Sequence, residues 1–178
     1  MREGVKWVHS DSLGLIRFSG GEFSLSDASA NWPAVTKLLV QWLHEQCPEE
    51  VGTEFPCTSI SVNKNYAGRL HRDAGNIGPS MLRALGDFTG GELNYWPYDN
   101  TRRPLSTLSE SGRVTLDAKA NTVLFDGRRG HEVADFEGER YSLVFFTHGE
   151  YKNIKPTEAA ALTKLGFAMP TEENLNKV

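Results

Sequence analysis

Two histidines and one aspartate have the types and spacing of a metal site. His71 and Asp73 are two residues apart, and His131 follows farther along the chain. On a β-strand, residues i and i+2 point to the same face, so His71 and Asp73 can converge on one ion while Arg72 points away. Two imidazoles and one carboxylate leave the opposite coordination positions open, which is typical of non-haem Fe(II) centres that use O2. The pattern therefore predicts a ferrous site with open positions.

Arg140 and Ser142 form a second pair at the same spacing, shortly after His131. A guanidinium can bind a carboxylate through two charge-assisted hydrogen bonds. A serine hydroxyl on the same strand face can donate a further hydrogen bond. We expect the pair to anchor a dicarboxylate co-substrate. Taken singly, each residue has an ordinary alternative: a histidine satisfied within the fold, or a solvated charge on a strand.

Short runs with strand character fill the chain from about residue 58 onward. Glycine, asparagine, aspartate or proline separates the runs, as closely spaced strands of a sandwich or barrel require. The metal-ligand candidates fall in the second and seventh runs, and Arg140 and Ser142 fall in the eighth. The segment 98–112 is long for a connection, and loops of that length are usually functional or mobile. The eight predicted strands are 58–66, 69–73, 80–87, 92–97, 113–117, 121–126, 131–135 and 140–147.

The segment 32–47 is predicted to be an amphipathic helix. Asn31 is a candidate N-cap, Pro33 suits the first turn, and Pro48 ends the helix. We expect its apolar face to support one sheet, and a partner-binding helix is the alternative. The residues of that face recur at helical spacing and are Val35, Leu38, Leu39, Trp42 and Leu43.

The sequence after the last predicted strand indicates one more helix and a polar tail. The helix is predicted over about 157–165, with Pro156 at its start. The residues from Pro170 onward are polar, and we expect them to fray.

In the order of these motifs the chain resembles the Fe(II)/2-oxoglutarate-dependent dioxygenases. That family carries His-x-Asp…His as its iron triad and Arg-x-Ser on its eighth strand, and the resemblance covers roughly residues 55–150. It implies a mainly β fold with flanking helices, namely a double-stranded β-helix (jelly roll, cupin-like), in which the second and seventh strands are neighbours. The expected organisation is one domain over 1–178, with its β-helix core at about 55–150 and helical support at about 32–47.

The resemblance also implies the cofactors and the reaction. Iron would be bound by His71, Asp73 and His131, and 2-oxoglutarate by Arg140, Ser142 and Tyr66. Fe(II), 2-oxoglutarate and O2 would together hydroxylate a substrate C–H bond, with ascorbate supporting activity. A protein that has lost catalysis should lack a ligand, and none is missing here. A non-catalytic, cupin-like metal-binding module is the alternative, although it would not need Arg140 and Ser142.

Segments 71–80 and 85–93 resemble the TET/JBP-type branch of that superfamily, with some prolyl-hydroxylase-like features. The branch oxidises the methyl group of a methylated pyrimidine in nucleic acid, so nucleic acid is the implied partner. A protein side chain or a small metabolite is the alternative substrate. Gly90 and Gly91 have a structural alternative as a tight turn. The candidate substrate-binding residues are Asn76, Trp96, Tyr98, Arg102, Arg103 and Arg128, with Arg129 beside the last.

Composition adds bounds on the class of protein. The net charge is −4, with 39% hydrophobic and 24% charged residues, so binding to nucleic acid would need a local basic patch. The two cysteines do not make a disulfide framework. Because no signal peptide or long apolar segment is evident, we expect a cytoplasmic or nuclear enzyme with no membrane partner.

Overall fold

Two antiparallel sheets with flanking helices make up the architecture in the computed structural model, which describes residues 9–47 and 55–176. Within these residues there are nine strands and four α-helices. The strands are β1 (His9–Arg17), β2 (Phe23–Leu25), β3 (Ser59–Lys64), β4 (Asn76–Gly90), β5 (Leu93–Tyr95), β6 (Val114–Leu116), β7 (Val123–Phe125), β8 (His131–Val133) and β9 (Phe136–His148). The helices are α1 (Asp27–Asn31), α2 (Pro33–Gln46), α3 (Pro156–Lys164) and α4 (Glu172–Leu175).

The sheet order is that of a double-stranded β-helix, as the sequence predicted. The larger sheet runs β2-β1-β3-β9-β4-β7 and the smaller runs β6-β5-β8. An isolated antiparallel bridge between His71 and His131 adds the segment around His71 to the β8 edge of the smaller sheet. The second and seventh predicted strands are therefore neighbours.

Period-two alternation along the strands separates a packed face from a cavity face. On β9, Leu143 and Phe145 belong to the core between the larger sheet and the helices, where they join Leu43 of α2 and Leu162 of α3. A second apolar cluster lies between the two sheets, and its members include Leu82, Phe88, Leu93 and Phe125. Arg140 and Ser142 take the opposite face of β9 and point into the space between the sheets.

Seven of the eight predicted strands correspond to β3 through β9, and one prediction is wrong. The segment 69–73 is not a continuous strand, because His71 alone pairs there, through two 3.0 Å bonds with His131. Asp73 instead begins a turn, in which its carbonyl accepts from the N–H of Asn76. The sequence also did not predict that β1 and β2 extend the larger sheet beyond β3.

The helix predicted over 32–47 is confirmed as α2, but its cap and part of its apolar face are not. Asn31 ends α1, and Trp32 is the N-cap, without a side-chain hydrogen bond. Val35 and Leu38 are 47% and 64% exposed, while Thr36, Val40 and Leu43 are buried. The Thr36 hydroxyl contacts the hydroxyl of Ser29 in α1 at 3.3 Å. The inward face of α2 therefore contacts α1 through Thr36 and the main core through Val40 and Leu43.

The C-terminal region is more ordered than the sequence indicated. Helix α3 begins at Pro156, as predicted. The expectation that the tail frays is wrong for α4, because Thr171 and Asn174 form a reciprocal capping box at its start. Leu175 packs on Gly78 of β4, where any side chain larger than hydrogen would clash. None of the helices in the described ranges is long and apolar enough to cross a membrane.

Candidate active site

A cavity of about 680 Å³ lies between the two sheets and contains the predicted metal and co-substrate residues. This volume is typical of small-molecule sites. Serine and asparagine side chains of β1 and β3 line one part of it, and apolar side chains of both sheets line another. The predicted residues on its wall are Tyr66, His71, Asp73, Asn76, His131, Arg140 and Ser142.

His71, Asp73 and His131 are arranged as a possible metal-binding triad. Their candidate ligand atoms all lie within 4.8 Å of one another. The Nε2 atoms of His71 and His131 lie 3.6 and 3.7 Å from the two carboxylate oxygens of Asp73. Because the isolated bridge pairs the two histidines directly, their rings approach to 4.2 Å between centroids. The fold thus brings His131 beside His71 and Asp73, which lie far from it in sequence.

Backbone carbonyls fix the tautomer of both imidazoles. His71 Nδ1 lies 2.6 Å from the carbonyl of Arg69, and His131 Nδ1 lies 2.8 Å from the carbonyl of Arg129. A carbonyl can only accept, so each Nδ1 carries the hydrogen and each Nε2 presents a lone pair. Hydrogen bonding of the remote nitrogen is the usual way in which proteins orient metal-binding histidines.

The surroundings of the triad favour neutral imidazole and a fixed carboxylate. Burial lowers the pKa of His131, and the neighbouring His71 lowers it further. Neutral imidazole is the form that binds metals. The side-chain amide of Asn76 lies 3.4 Å from the Asp73 carboxylate. The backbone N–H of Asp73 donates to the carbonyl of Gly127. The structure therefore brings Asn76, predicted as a substrate residue, beside a metal-ligand candidate.

Arg140 is a buried cation that forms no ion pair with any described residue, although the negative charge of Glu92 partly opposes the effect of burial on its pKa. It is only 1% exposed, and its guanidinium lies 5.5 and 5.6 Å from the ring centroids of Phe88 and Phe136. Its Nε and Nη2 atoms are buried with no hydrogen-bond partner among the described residues. Burial lowers its pKa from the ordinary value to about 10. Buried charges are normally paired, so these free donors are suited to an anionic ligand.

A glycine turn makes room for that guanidinium. Gly90 and Gly91 follow one another with φ values of +73° and +75°. A Cβ atom on Gly91 would lie 2.9 Å from Arg140 Nε, and one on Gly90 would lie 2.3 Å from the Asp135 carbonyl oxygen. These φ values and close contacts agree with a structural role for the two glycines.

The segment 98–112 lies beside the triad because buried hydrogen bonds tie it there. Asp99 accepts from Arg72 Nε at 2.6 Å and from the Gly130 N–H at 2.8 Å, and these two residues precede Asp73 and His131. Burial alone would raise the pKa of Asp99, but these bonds and the Arg72 charge hold it below its ordinary value. Two 3-10 turns interrupt the loop.

The predicted substrate residues on and near this loop differ in exposure and in ion pairing. Tyr98 is 90% exposed, and Arg102 and Arg103 are also exposed. Trp96 is instead buried, with its indole N–H donating to the Ser109 carbonyl at 2.8 Å, so it presents no open ring face. Arg128 pairs with Asp126 through two bonds of 2.9 and 3.0 Å, and Arg129 lies 3.4 Å from the same carboxylate. Tyr98, Arg102 and Arg103 therefore form the free part of the proposed patch.

Comparison with known proteins identifies the fold. No protein-family model matches the chain, and no curated protein matches it in sequence. NgTET1, solved in complex with 5mC DNA, aligns at 16% identity over 87% of this chain and 68% of its own, with a TM-score of 0.52. An oxidoreductase of the 2OG-Fe(II) oxygenase family from Burkholderia pseudomallei aligns at 19% identity over 81% and 69%, with a TM-score of 0.53. This chain has the fold of the 2OG-Fe(II) oxygenases.

A third structural match is weaker. A prolyl-4-hydroxylase from Pseudomonas putida aligns at 18% identity over 79% of this chain and 72% of its own, with a TM-score of 0.37. That score is too low to support an argument about this chain.

Within the oxygenase fold, sequence reasoning missed polar residues on the cavity face of β1 and β3. Ser10, Ser61 and Asn63 all line the cavity. The signal was present in the third strand, where Ser59, Ser61 and Asn63 alternate with Ile60 and Val62. Polar residues at every second position of a strand inside a packed fold indicate a wetted or ligand-binding face.

Proposed function

We propose that this chain is an Fe(II)- and 2-oxoglutarate-dependent oxygenase that hydroxylates a substrate C–H bond. The observation that carries the proposal is the unpaired guanidinium of Arg140, buried in the same cavity as His71, Asp73 and His131. A metal triad alone is compatible with many functions. A triad with a nearby buried receptor for a carboxylate supports a metal-dependent reaction of a dicarboxylate.

The residues fit the groups that this chemistry needs. His71, Asp73 and His131 would hold Fe(II), since two neutral imidazoles and a carboxylate suit a ferrous ion and leave coordination positions open. Arg140 and Ser142 would bind the distal carboxylate of 2-oxoglutarate, and Tyr66 lies on the same cavity wall. When bound, iron with 2-oxoglutarate and O2 supplies a hydroxylation in which 2-oxoglutarate becomes succinate and CO2.

The remaining cavity wall keeps the reacting groups in an apolar environment. Leu82, Leu93, Phe125 and Val144 line the cavity beside the triad. Their side chains exclude bulk water, and exclusion of water strengthens the pairing of Arg140 with a carboxylate. A non-catalytic, cupin-like metal-binding module would have no use for this buried cation, which favours the oxygenase.

Turnover of 2-oxoglutarate tests the reaction. Metal-free protein is reloaded with Fe(II) in the presence of ascorbate, and consumption of 2-oxoglutarate and O2 is measured with formation of succinate. We expect His71→Ala and Asp73→Ala to lose this activity. Asp87→Ala, which removes an exposed carboxylate on β4, is the matched control and should keep it. Full activity in Asp73→Ala would rule out the triad.

For the substrate, we propose a methylated pyrimidine in nucleic acid. An enzyme that reacts with a base must take it out of the stack, and exposed aromatic rings and phosphate-binding cations assist this. Tyr98, Arg102 and Arg103 supply such groups on the loop tied to the triad through Asp99. The structural match NgTET1 was solved with 5mC DNA, which agrees with this class.

A mass-spectrometric screen separates the substrate classes. The loaded enzyme is incubated with 5-methylcytosine DNA, RNA, peptides and free nucleosides, and a mass gain of one oxygen atom identifies the substrate. A gain confined to peptides or small metabolites would contradict the nucleic-acid assignment but not the reaction. With DNA, Arg103→Ala should weaken binding and reduce its salt dependence by about one unit of slope. Lys164→Ala, on the exposed side of α3, should do neither.

A further inference from the structure

A row of hydrogen-bonded side chains crosses three strands of the larger sheet and ends at the Arg140 side of the cavity. Ser10 of β1 pairs in register with Asn63 of β3, which pairs with Ser142 of β9. Ser10 Oγ donates to Asn63 Oδ1 at 2.6 Å, and Asn63 Nδ2 donates to Ser142 Oγ at 3.3 Å. Ser61 Oγ also donates to Asn63 Oδ1, at 3.2 Å.

The hydrogen bonds of the row show how the Asn63 amide is oriented. Ser10 Oγ and Ser61 Oγ both donate to Asn63 Oδ1, and the 2.6 Å separation from Ser10 is in the range of a hydroxyl–oxygen bond. The amide oxygen therefore faces the two serines and accepts both of their protons. The amide nitrogen is left to donate toward Ser142, because an amide has no other donors.

This orientation decides what the Ser142 hydroxyl can do. Asn63 and Ser142 are each only 5% exposed, so bulk water does not compete for their bonds. Ser142 Oγ accepts from Asn63, and no described residue accepts the proton of Ser142 in return. Arg140 lies two residues earlier on the same strand face. The free hydroxyl proton and the unpaired guanidinium are thus available on one wall of the cavity.

We propose that Asn63 is a positioning residue: by donating to Ser142 Oγ, it leaves the Ser142 proton to be donated to the distal carboxylate of the co-substrate. The preference of the site for a dicarboxylic over a monocarboxylic 2-oxo acid depends on this hydrogen bond from Ser142. Asn63 acts through Ser142 and does not touch the metal. The inference rests on the proposed function, since it takes 2-oxoglutarate as the ligand.

Asn63→Asp tests the direction of the hydrogen bond between residue 63 and Ser142. The aspartate has the same shape but presents a second acceptor where the amide donated, so Ser142 turns its proton back toward residue 63. A hydrogen bond to a charged group is thereby lost, and we expect affinity for 2-oxoglutarate to fall about tenfold or more. Affinity for 2-oxopentanoate, which has a methyl group in place of the distal carboxylate, should not change. Calorimetric titration of Mn(II)-loaded protein without O2 measures both affinities in the absence of turnover.

A double-mutant cycle separates action through Ser142 from simple charge repulsion. In a Ser142→Ala background there is no hydroxyl to redirect, so Asn63→Asp should lose much less affinity than it does in the wild type. Equal losses in the two backgrounds would overturn the proposal. The double variant Ser10→Ala/Ser61→Ala removes the donors that orient the amide and adds no charge. It should lower affinity for 2-oxoglutarate severalfold, and unchanged affinity would also overturn the proposal.

Controls distinguish failure of this inference from failure of the proposed function. Asn94→Asp places a carboxylate at another buried asparagine, on β5 and outside the cavity wall, and should leave 2-oxoglutarate affinity unchanged. Thermal unfolding of each variant reports whether it is folded. If wild-type protein binds 2-oxoglutarate and Asn63→Asp binds it equally well, the positioning role is wrong. If the wild type binds neither 2-oxo acid, the proposed function itself is wrong.

Discussion

At the scale of a single residue, burial of the Arg140 charge lowers the stability of the fold and leaves donors free for an anionic ligand. A charged side chain transferred to the interior loses its hydration, and a partner normally compensates. Here the aromatic rings of Phe88 and Phe136 surround the guanidinium, while Nε and Nη2 have no acceptor within the described ranges. The lowered pKa of Arg140 reflects the same unfavourable burial. We infer that the ligand supplies the missing acceptor.

Arg140→Met should therefore stabilise the protein and abolish binding of 2-oxoglutarate. Methionine is apolar, unbranched and similar in length, so it can fill the space without burying a charge. We expect the free energy of unfolding to rise by about 1–4 kcal/mol, as when buried charges are replaced by apolar groups. Urea unfolding and calorimetry measure the two effects. Arg83→Met, on the opposite face of β4, is the matched control; a destabilised Arg140→Met that still binds 2-oxoglutarate would contradict the interpretation.

Helix α2 shows at the scale of an element why an apolar pattern does not fix an orientation. Its sequence carries apolar residues over a wide arc, so more than one face could be packed inward. In the folded protein the face that contains Val40 and Leu43 packs into the main core, and Thr36 on that face contacts α1. Val35 and Leu38 are left exposed together with Trp32, which is 65% exposed.

The rotation of α2 predicts unequal effects for two leucine substitutions. Leu43→Ala creates a cavity in the core beneath the larger sheet and should lower the free energy of unfolding by about 2–5 kcal/mol. Leu38→Ala removes an exposed side chain at a helical position, where we expect a change of less than about 0.5 kcal/mol. Urea unfolding of both variants checks the pair. Equal losses would indicate that Leu38 is packed inward, as the sequence pattern predicted.

The packing of the whole molecule half-buries a histidine outside the proposed triad. His148 ends β9 on the cavity wall, with its ring 5.4 and 5.2 Å from those of Phe23 and Phe146. Burial lowers its pKa below the ordinary 6.5, and Arg17 acts in the same direction while Glu150 and a bond to the Leu15 backbone oppose it. The folded protein therefore takes up this proton less readily than the unfolded chain does.

Stability of the metal-free protein should consequently fall as the pH drops through 6.5. As the pH falls below that value, His148 is protonated in the unfolded state before it is protonated in the folded state. The stability that neutral His148 contributes to the folded protein at higher pH is therefore lost. His148→Gln should make the dependence flatter by up to about 1.4 kcal/mol per pH unit just below that point. Urea unfolding on either side of it measures the difference. The same slope in His148→Gln and in the wild type would contradict partial burial of a neutral imidazole.

Much of the site could be predicted because its information is local in the sequence. The spacing in Arg140-x-Ser142 matches the two-residue period of a strand, and turn residues mark where most strands end. Asp73 converges with His71 although it lies in a turn and not in a strand. Resemblance to a family then supplied the adjacency of the second and seventh strands, which the His71–His131 bridge bears out. The roles of these residues in binding iron and 2-oxoglutarate stay predictions.

The sequence by itself determined the types of the candidate ligands and the shared strand face of Arg140 and Ser142, because a side chain's face follows from its parity along a strand. Only the tertiary structure decided which residues meet across strands. The registers of β1, β3 and β9 bring Ser10, Asn63 and Ser142 into one row, and packing on the Ser109 carbonyl takes Trp96 out of the surface patch. Such contacts depend on the pairing of strands that are distant in sequence and on which buried groups form hydrogen bonds with each other. Neither can be inferred from the spacing of residues along the chain.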